Sequence, residues 1–345
     1  MKLIKHITLA CALLTAMTVT LVSCYKEDAV PKASNGPSSS AVTPVEGSGG
    51  TLITVSGSGL GQMKSIVFAN QNVPASFNPT FNSDNNILFR VPDTAFGGSQ
   101  DVILTNTLGK ELRIQFKVIA LASVSSVSAY EFEAGSALTL TGNNLESVTS
   151  VVLDGTTDAA TIVTKTRKQL VLTMPGSAVD RAKLKITNAS GVATTTQEFA
   201  NLAKALIWFK DDLGPNIQDW SWCSVHAPTA AEKLQGSKSM EAKYGNGAWQ
   251  GLSFYSPTTF NGAAFNYMSF WVKGGTQDNN LKIYCDQGGT PVESVLIPAN
   301  VWTYVRVPMV GFLAGVGNIQ RMNFQMRGPN NSDQTVFFDN IIFVK

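Results

Sequence analysis

Apolar and polar residues alternate with a period of two through most of this chain. Ile53 and Val55 flank polar Thr54, and Leu138 and Leu140 flank Thr139. Such alternation marks strands with one buried face. Turns rich in Gly, Asn and Pro break the runs roughly every eight to twelve residues. No amphipathic helical stretch of useful length follows the N-terminal segment. The pattern predicts an all-β protein made of antiparallel sandwiches.

The pattern also recurs. Ile53-Thr54-Val55-Ser56-Gly57 returns 85 residues later as Leu138-Thr139-Leu140-Thr141-Gly142. The same spacing carries Leu60 onto Leu145 and 65–68 onto 150–153. Val91-Pro92 then answers to Met174-Pro175, and Thr105-Asn106 with Gly109 to Thr187-Asn188 with Gly191. Two sandwiches follow, at 38–119 and 120–203. Beyond them, nine short strands are predicted at 205–210, 237–243, 250–255, 267–273, 281–285, 292–297, 303–308, 321–325 and 336–344. Nine strands in a domain of 204–345 fit a two-sheet jelly roll.

The N-terminus follows another logic. Lys2 and Lys5 precede an uncharged apolar stretch, 7–22, which reads as a secretion signal spanning 1–23. Residues 24–37 mix Pro, Gly, Ser and charge without periodicity and read as a flexible tether. Only 14% of residues are charged, and 26 Lys+Arg face 24 Asp+Glu. Residues 1–23 hold two Lys and no acid, so the processed chain is neutral by count. This excludes a nucleic-acid surface and favours an uncharged ligand. Cys223 and Cys285 remain beyond the signal and tether. They read either as a disulfide or as two separately buried thiols.

All six tryptophans lie beyond residue 204. Trp208, Trp271 and Trp302 sit in strongly apolar strands and read as core. Trp220 and Trp222 flank Ser221 in a polar segment, so their rings share one face of an extended chain. Trp249 and Tyr255 bound the 250–255 strand. These four aromatics are candidates for stacking on the apolar faces of sugars, with Asp219 and Gln250 as hydrogen-bonding partners and Asp286 and Gln287 as weaker ones. No motif of a nucleophilic, nucleotide-binding or zinc enzyme is present. His226 is the one histidine beyond the signal, and it reads as structural despite lying three residues from Cys223. A non-enzyme is expected, with no required cofactor.

Several motifs resemble known families. Leu21-Val22-Ser23-Cys24 resembles a bacterial lipobox, which implies acylation of Cys24 and anchoring in the outer membrane. Tyr25-Lys26-Glu27-Asp28 is similar to the export tag of lipoproteins displayed on the cell exterior. The runs 49–60 and 134–145 resemble the opening strands of IPT/TIG immunoglobulin-like domains. In that family Gly57 and Gly142 would end a strand at positive φ. Both copies read as rigid spacers. Asp219-Trp220-Ser221-Trp222, 302–308 and 336–341 resemble β-jelly-roll carbohydrate-binding modules. Such jelly rolls often hold a structural Ca²⁺, which here implies Asp211 or Asp212 with Asp339. The whole layout resembles surface glycan-binding lipoproteins of polysaccharide-utilisation systems. It implies capture of a neutral polysaccharide and transfer to a neighbouring transporter and glycosidases. The alternative is an adhesin or scaffold whose C-terminal domain binds another protein.

Overall fold

The computed structural model describes residues 31–247, 249–285, 293–312, 318–327 and 332–345. The signal, Cys24, the tether up to residue 30, Asp286 and Gln287 lie outside these residues. Strands dominate the described residues, with one α-helical turn at Met309–Phe312. The chain divides into two compact units at the junction of Ala120 and Leu121.

The first unit is a sandwich. One sheet runs Ala33–Thr43, Leu52–Leu60, Asn86–Arg90. The other runs Glu46–Gly47, Glu111–Val118, Gly98–Asn106, Met63–Phe68, Val73–Ala75. The alternating positions Ile53, Val55, Val102 and Leu104 are fully buried between them. Phe68 meets Phe89 and Phe116 edge-on, with centroids 6.4 and 6.0 Å away. The first strand begins at Ala33, so residues 33–37 belong to the sandwich and not to the tether. Small polar residues carry no hydrophobic period, but pairing along a sheet edge needs only backbone.

The second sandwich repeats this plan. Its sheets are Glu131–Phe132, Gly191–Asn201, Arg181–Asn188, Ser150–Leu153 and Thr161–Lys165, Gln169–Thr173, Ala137–Asn143, Ser123–Val127. The repeated Thr-Asn…Gly marks one device in both copies. Asn106 and Asn188 are buried, and their Oδ1 atoms accept hairpin amides, from Leu108 and Lys110 in one and Ser190 in the other. Gly57 and Gly142 differ from expectation. Neither has positive φ, and both lie within strands. A Cβ at Gly57 would overlap the Ser38 carbonyl, and one at Gly142 the Ser123 carbonyl. Close approach of the neighbouring strand at a register shift requires them.

The remainder of the second unit is a jelly roll. A six-stranded sheet orders Val225–Thr229, Ser239–Tyr244, Gln334–Val344, Tyr267–Lys273, Trp302–Pro308, with Leu206–Phe209 also pairing Gln334–Val344. A five-stranded sheet orders Gln218–Asp219, Gly251–Asn261, Asn318–Met326, Asn279–Cys285, Glu293–Ile297. Phe254, Phe270, Phe324 and Phe338 pack between the two. Trp208 is fully buried, Trp271 buried and Trp302 half-buried. All nine predicted strands have counterparts. Gln218–Asp219 and Val225–Thr229 were not predicted. Both are edge strands, and Val225–Thr229 contains Pro228 and is mostly exposed.

The second sandwich shares a seam with the jelly roll. Ala200 and Leu202 pack with Tyr267, Ile342 and Val344. The Tyr130 ring stacks on Tyr304 with centroids 4.3 Å apart. Glu131 is buried there, and its Oε2 accepts from Trp271 Nε1 (3.0 Å) and Gln235 Nε2 (3.2 Å). Its Oε1 has no hydrogen-bond partner. Burial pushes this carboxyl up to about 7, against the hydrogen bonds from Trp271 and Gln235.

Candidate functional site

The outward face of the five-stranded sheet gathers the candidate aromatics. Beyond Gln218–Asp219 the chain keeps pairing with Gly251–Asn261. Trp220 N donates to Ser253 O, and Trp222 N donates to Gly251 O, each at 2.9 Å. Side chains two residues apart then share a face. Trp220 and Trp222 both lie on the outer side and are exposed. Trp249 lies just before this strand, its carbonyl accepts from Trp222 Nε1, and its side chain is 72% exposed.

The rings of Trp220 and Trp222 are held in place. Gly251 leaves room for Trp222, because a Cβ there would overlap Cζ2 of that indole. Trp222 Nε1 donates to the Trp249 carbonyl, which also accepts from Gln325 Nε2 at 3.1 Å. Trp249 has φ of 106°, a conformation that a bulky residue adopts only when its surroundings enforce it. Those two donors fix the orientation of its carbonyl. Tyr255 stacks under Trp220, with centroids 3.9 Å apart and ring planes within 10°. Trp220 Nε1 donates to Gln218 Oε1 at 3.0 Å.

A polar row runs beside the aromatics. Register places Arg321 opposite Tyr255, Asn323 opposite Ser253, and Gln325 opposite Gly251. The next strand places Tyr284 opposite Asn323 and Lys282 opposite Gln325. Arg321 lies between the two indoles, 5.6 Å from Trp220 and 5.5 Å from Trp222. Its Nε donates to Ser253 Oγ (2.8 Å), which donates to Asn323 Oδ1 (2.8 Å). Burial raises the Tyr284 phenol, while the charges of Arg321 and Arg327 act the other way. Sequence reasoning did not single out Arg321, Asn323, Gln325, Tyr284, Lys282 or Arg327. Alternation in Arg321, Asn323 and Gln325 was visible, but which face it served depended on the sheet order.

The other candidates serve elsewhere. Asp219 pairs in register with Phe254, which faces the core. Asp219 Oδ2 binds His226 Nδ1 at 2.6 Å, joining edge strands of the two sheets. Gln250 takes the phase opposite Gly251, and its Oε1 accepts from Gly245 N. Asp211 Oδ1 accepts from Ser237 Oγ and Lys238 N, both at 2.9 Å. Burial opposes its ionisation, but these donors outweigh that and lower its pKa. Asp339 Oδ2 accepts from the amides of Leu234 and Gln235, and burial pushes it up to about 6. Asp212 meets Lys238 Nζ at 3.3 Å. Among the described residues, no cluster of three or more His, Cys, Asp or Glu side chains is arranged to hold a metal ion.

Cys223 and Cys285 are both buried thiols and are not bridged. Burial pushes the Cys223 thiol up to about 12, so it is no nucleophile at neutral pH. The first sandwich carries a groove of about 710 Å³, lined by Leu52, Phe77, Phe81, Leu88, Arg90 and others, without a tryptophan.

Residues 37–118 and 122–200 each match the IPT/TIG domain model, so the chain carries two IPT/TIG domains. Comparison with curated proteins gives no match. Among solved structures, the chain is similar in fold to a surface glycan-binding protein, PbSGBP-B, from Prevotella bryantii. The two are 15% identical, the match covers 91% of this chain and 99% of that one, and the TM-score is 0.58. An SGBP-B from a complex xyloglucan utilisation locus of Bacteroides uniformis is 18% identical, with coverages of 90% and 99% and a TM-score of 0.46. A family 29 carbohydrate-binding module matches 40% of this chain and 90% of its own, at 16% identity and a TM-score of 0.30.

Proposed function

We propose that this chain is a non-catalytic lipoprotein of the cell surface that captures polysaccharide on the outer face of its jelly roll. The carrying observation is the convergence of Trp220, Trp222 and Trp249 along one strand edge, beside a row of amides and guanidinium groups. Uncharged pyranose rings present CH faces that stack on indoles, while their hydroxyls seek amide and Arg donors. Trp249 and the Trp220/Trp222 pair would hold successive sugars, with Arg321 meeting their edges, while the buried Asn323 and Gln325 brace Ser253 and the Trp249 carbonyl from beneath. Tyr255 backs Trp220, so one of its faces is taken by that indole. The lipobox-like sequence at Cys24 supports anchoring in the outer membrane, facing outwards. Captured chains would pass to a neighbouring transporter and glycosidases of a polysaccharide-utilisation system. Likeness in fold to a surface glycan-binding protein supports the same reading.

Trp249→Ala tests the site. The side chain is largely exposed, so its loss is expected to leave thermal stability within about 0.5 kcal/mol. Lost stacking is worth about 2 kcal/mol, or roughly 30-fold in affinity for a retained polysaccharide measured by titration calorimetry. Unchanged affinity would remove Trp249 from the site. Gly251→Ala should act indirectly, by lifting the Trp222 ring from the strand at a cost of about 1–3 kcal/mol. A changed near-UV circular dichroism signal together with weaker binding is expected. An unaltered signal would contradict the packing described.

A further inference from the structure

The charges of the two sheets are treated differently. On the strands of the six-stranded sheet every Lys or Arg has a carboxylate partner. Lys243 meets Asp333 at 3.1 Å, Lys273 meets Glu232 at 2.8 Å, and Arg306 meets Glu198 at 3.2 Å. The face that carries the indoles departs from this. Lys282 lies 4.5 Å over the Tyr284 ring, and Arg327 lies 6.0 Å from the Trp249 centroid. Among the described residues, neither has an ion-pair partner. No described Asp or Glu shares the outward phase of these strands, since Asp219 pairs with Phe254 and Glu293 pairs with Ile283, both inward positions.

Position adds to composition. Lys282 is opposite Gln325, and Arg327 is two residues beyond Gln325, with its amide donating to Asn280 O at 2.8 Å. The two cations are thus diagonal neighbours on adjacent strands, roughly 7–8 Å apart at their origins. Both lie against rings of the platform itself. An Arg guanidinium matches a carboxylate in two-point geometry, and a nearby Lys adds a point charge.

We propose that the captured polysaccharide carries acidic substituents, uronic acid carboxylates, which Lys282 and Arg327 receive while uncharged sugars of the same chain stack on the indoles. This rests on the glycan-binding reading above and narrows its ligand. Overall neutrality by count conceals this local positive face.

The test uses the processed full chain and several uronic-acid-bearing polysaccharides, among them a glucuronoxylan. Each is offered in native form and after chemical reduction of its carboxyls to alcohols, alongside a set of neutral glycans. At least one native polymer should bind about tenfold tighter than its reduced form. That preference should shrink as NaCl rises from about 50 to about 500 mM, and in the variant K282Q/R327Q it should fall to about onefold. Equal binding of native and reduced forms throughout, or retention of neutral glycans alone, would overturn the proposal and leave glycan capture standing. Failure of every polymer to bind, acidic, reduced or neutral, would overturn both.

Discussion

Trp222→Ala is expected to weaken binding of any retained polysaccharide by about a hundredfold, the largest loss of any single aromatic. Three consequences add together. The indole provides the middle of the aromatic strip, so its truncation removes stacking surface worth about 2 kcal/mol. Its Nε1 also holds the carbonyl of Trp249, whose backbone stands at φ of 106°. Release of that carbonyl lets the neighbouring ring relax away from the strip. Finally, Arg321 loses one of the two rings between which it lies. Together these amount to about 3 kcal/mol, against the smaller effect at Trp249. Trp222 is more than a third exposed, so the fold should survive. Calorimetric titration beside a melting curve checks this. Loss of binding through unfolding, or a loss smaller than that of Trp249→Ala, would contradict the assigned geometry.

Acid should stabilise the second unit across a range where many proteins weaken. Glu131 has an ordinary value of 4.5 and is pushed up to about 7 by burial in the seam. Between these values the folded state holds a proton that the unfolded chain has released. Stability from this proton is fully present below about 4.5 and is lost as pH rises through about 7. The difference is about 3 kcal/mol. Asp339, pushed from 3.8 up to about 6, acts with the same sign over a lower window. Unfolding free energy should therefore fall as pH rises from about 5 to about 7.5. All six tryptophans belong to this unit, so their fluorescence in denaturant titrations reports on it. Glu131→Gln keeps an acceptor for Trp271 Nε1 and cannot ionise. It should flatten most of the slope and exceed the parent in stability at pH about 8. A parent stability that rises over the same pH range would contradict the buried seam.

The seam also shows where sequence reasoning reaches its limit. Alternation such as Ile53/Val55 and Leu138/Leu140 exposes strands, because a half-buried sheet demands it. The repeated Asn106 and Asn188 are legible for a similar reason: each hairpin needs the same buried side-chain cap. Glu131 carries no such mark. Its meaning depends on Trp271, 140 positions away, and nothing local distinguishes it from a solvated Glu. The site divides in the same manner. Trp220 and Trp222 stand out because tryptophans in a polar segment have no core to enter. Asp219 and Gln250 looked like their partners by adjacency, yet neighbours in a strand face opposite ways, and both turn from the platform. The polar residues that share this face, Arg321, Asn323 and Gln325, come from a strand about a hundred residues later, and only sheet order brings them there. Gly57 and Gly142 were conspicuous as a repeated position, but what the position needs is set by the carbonyl of another strand.

The most direct test of glycan capture is affinity electrophoresis of the processed full chain through gels containing single soluble polysaccharides. The triple variant Trp220→Ala/Trp222→Ala/Trp249→Ala runs beside it, with its fold verified by circular dichroism. At least one polymer should retard the parent, and the triple variant should migrate in that gel as it does without polysaccharide. Free migration of the parent through every gel, or equal retardation of the folded triple variant, would contradict glycan capture on this face.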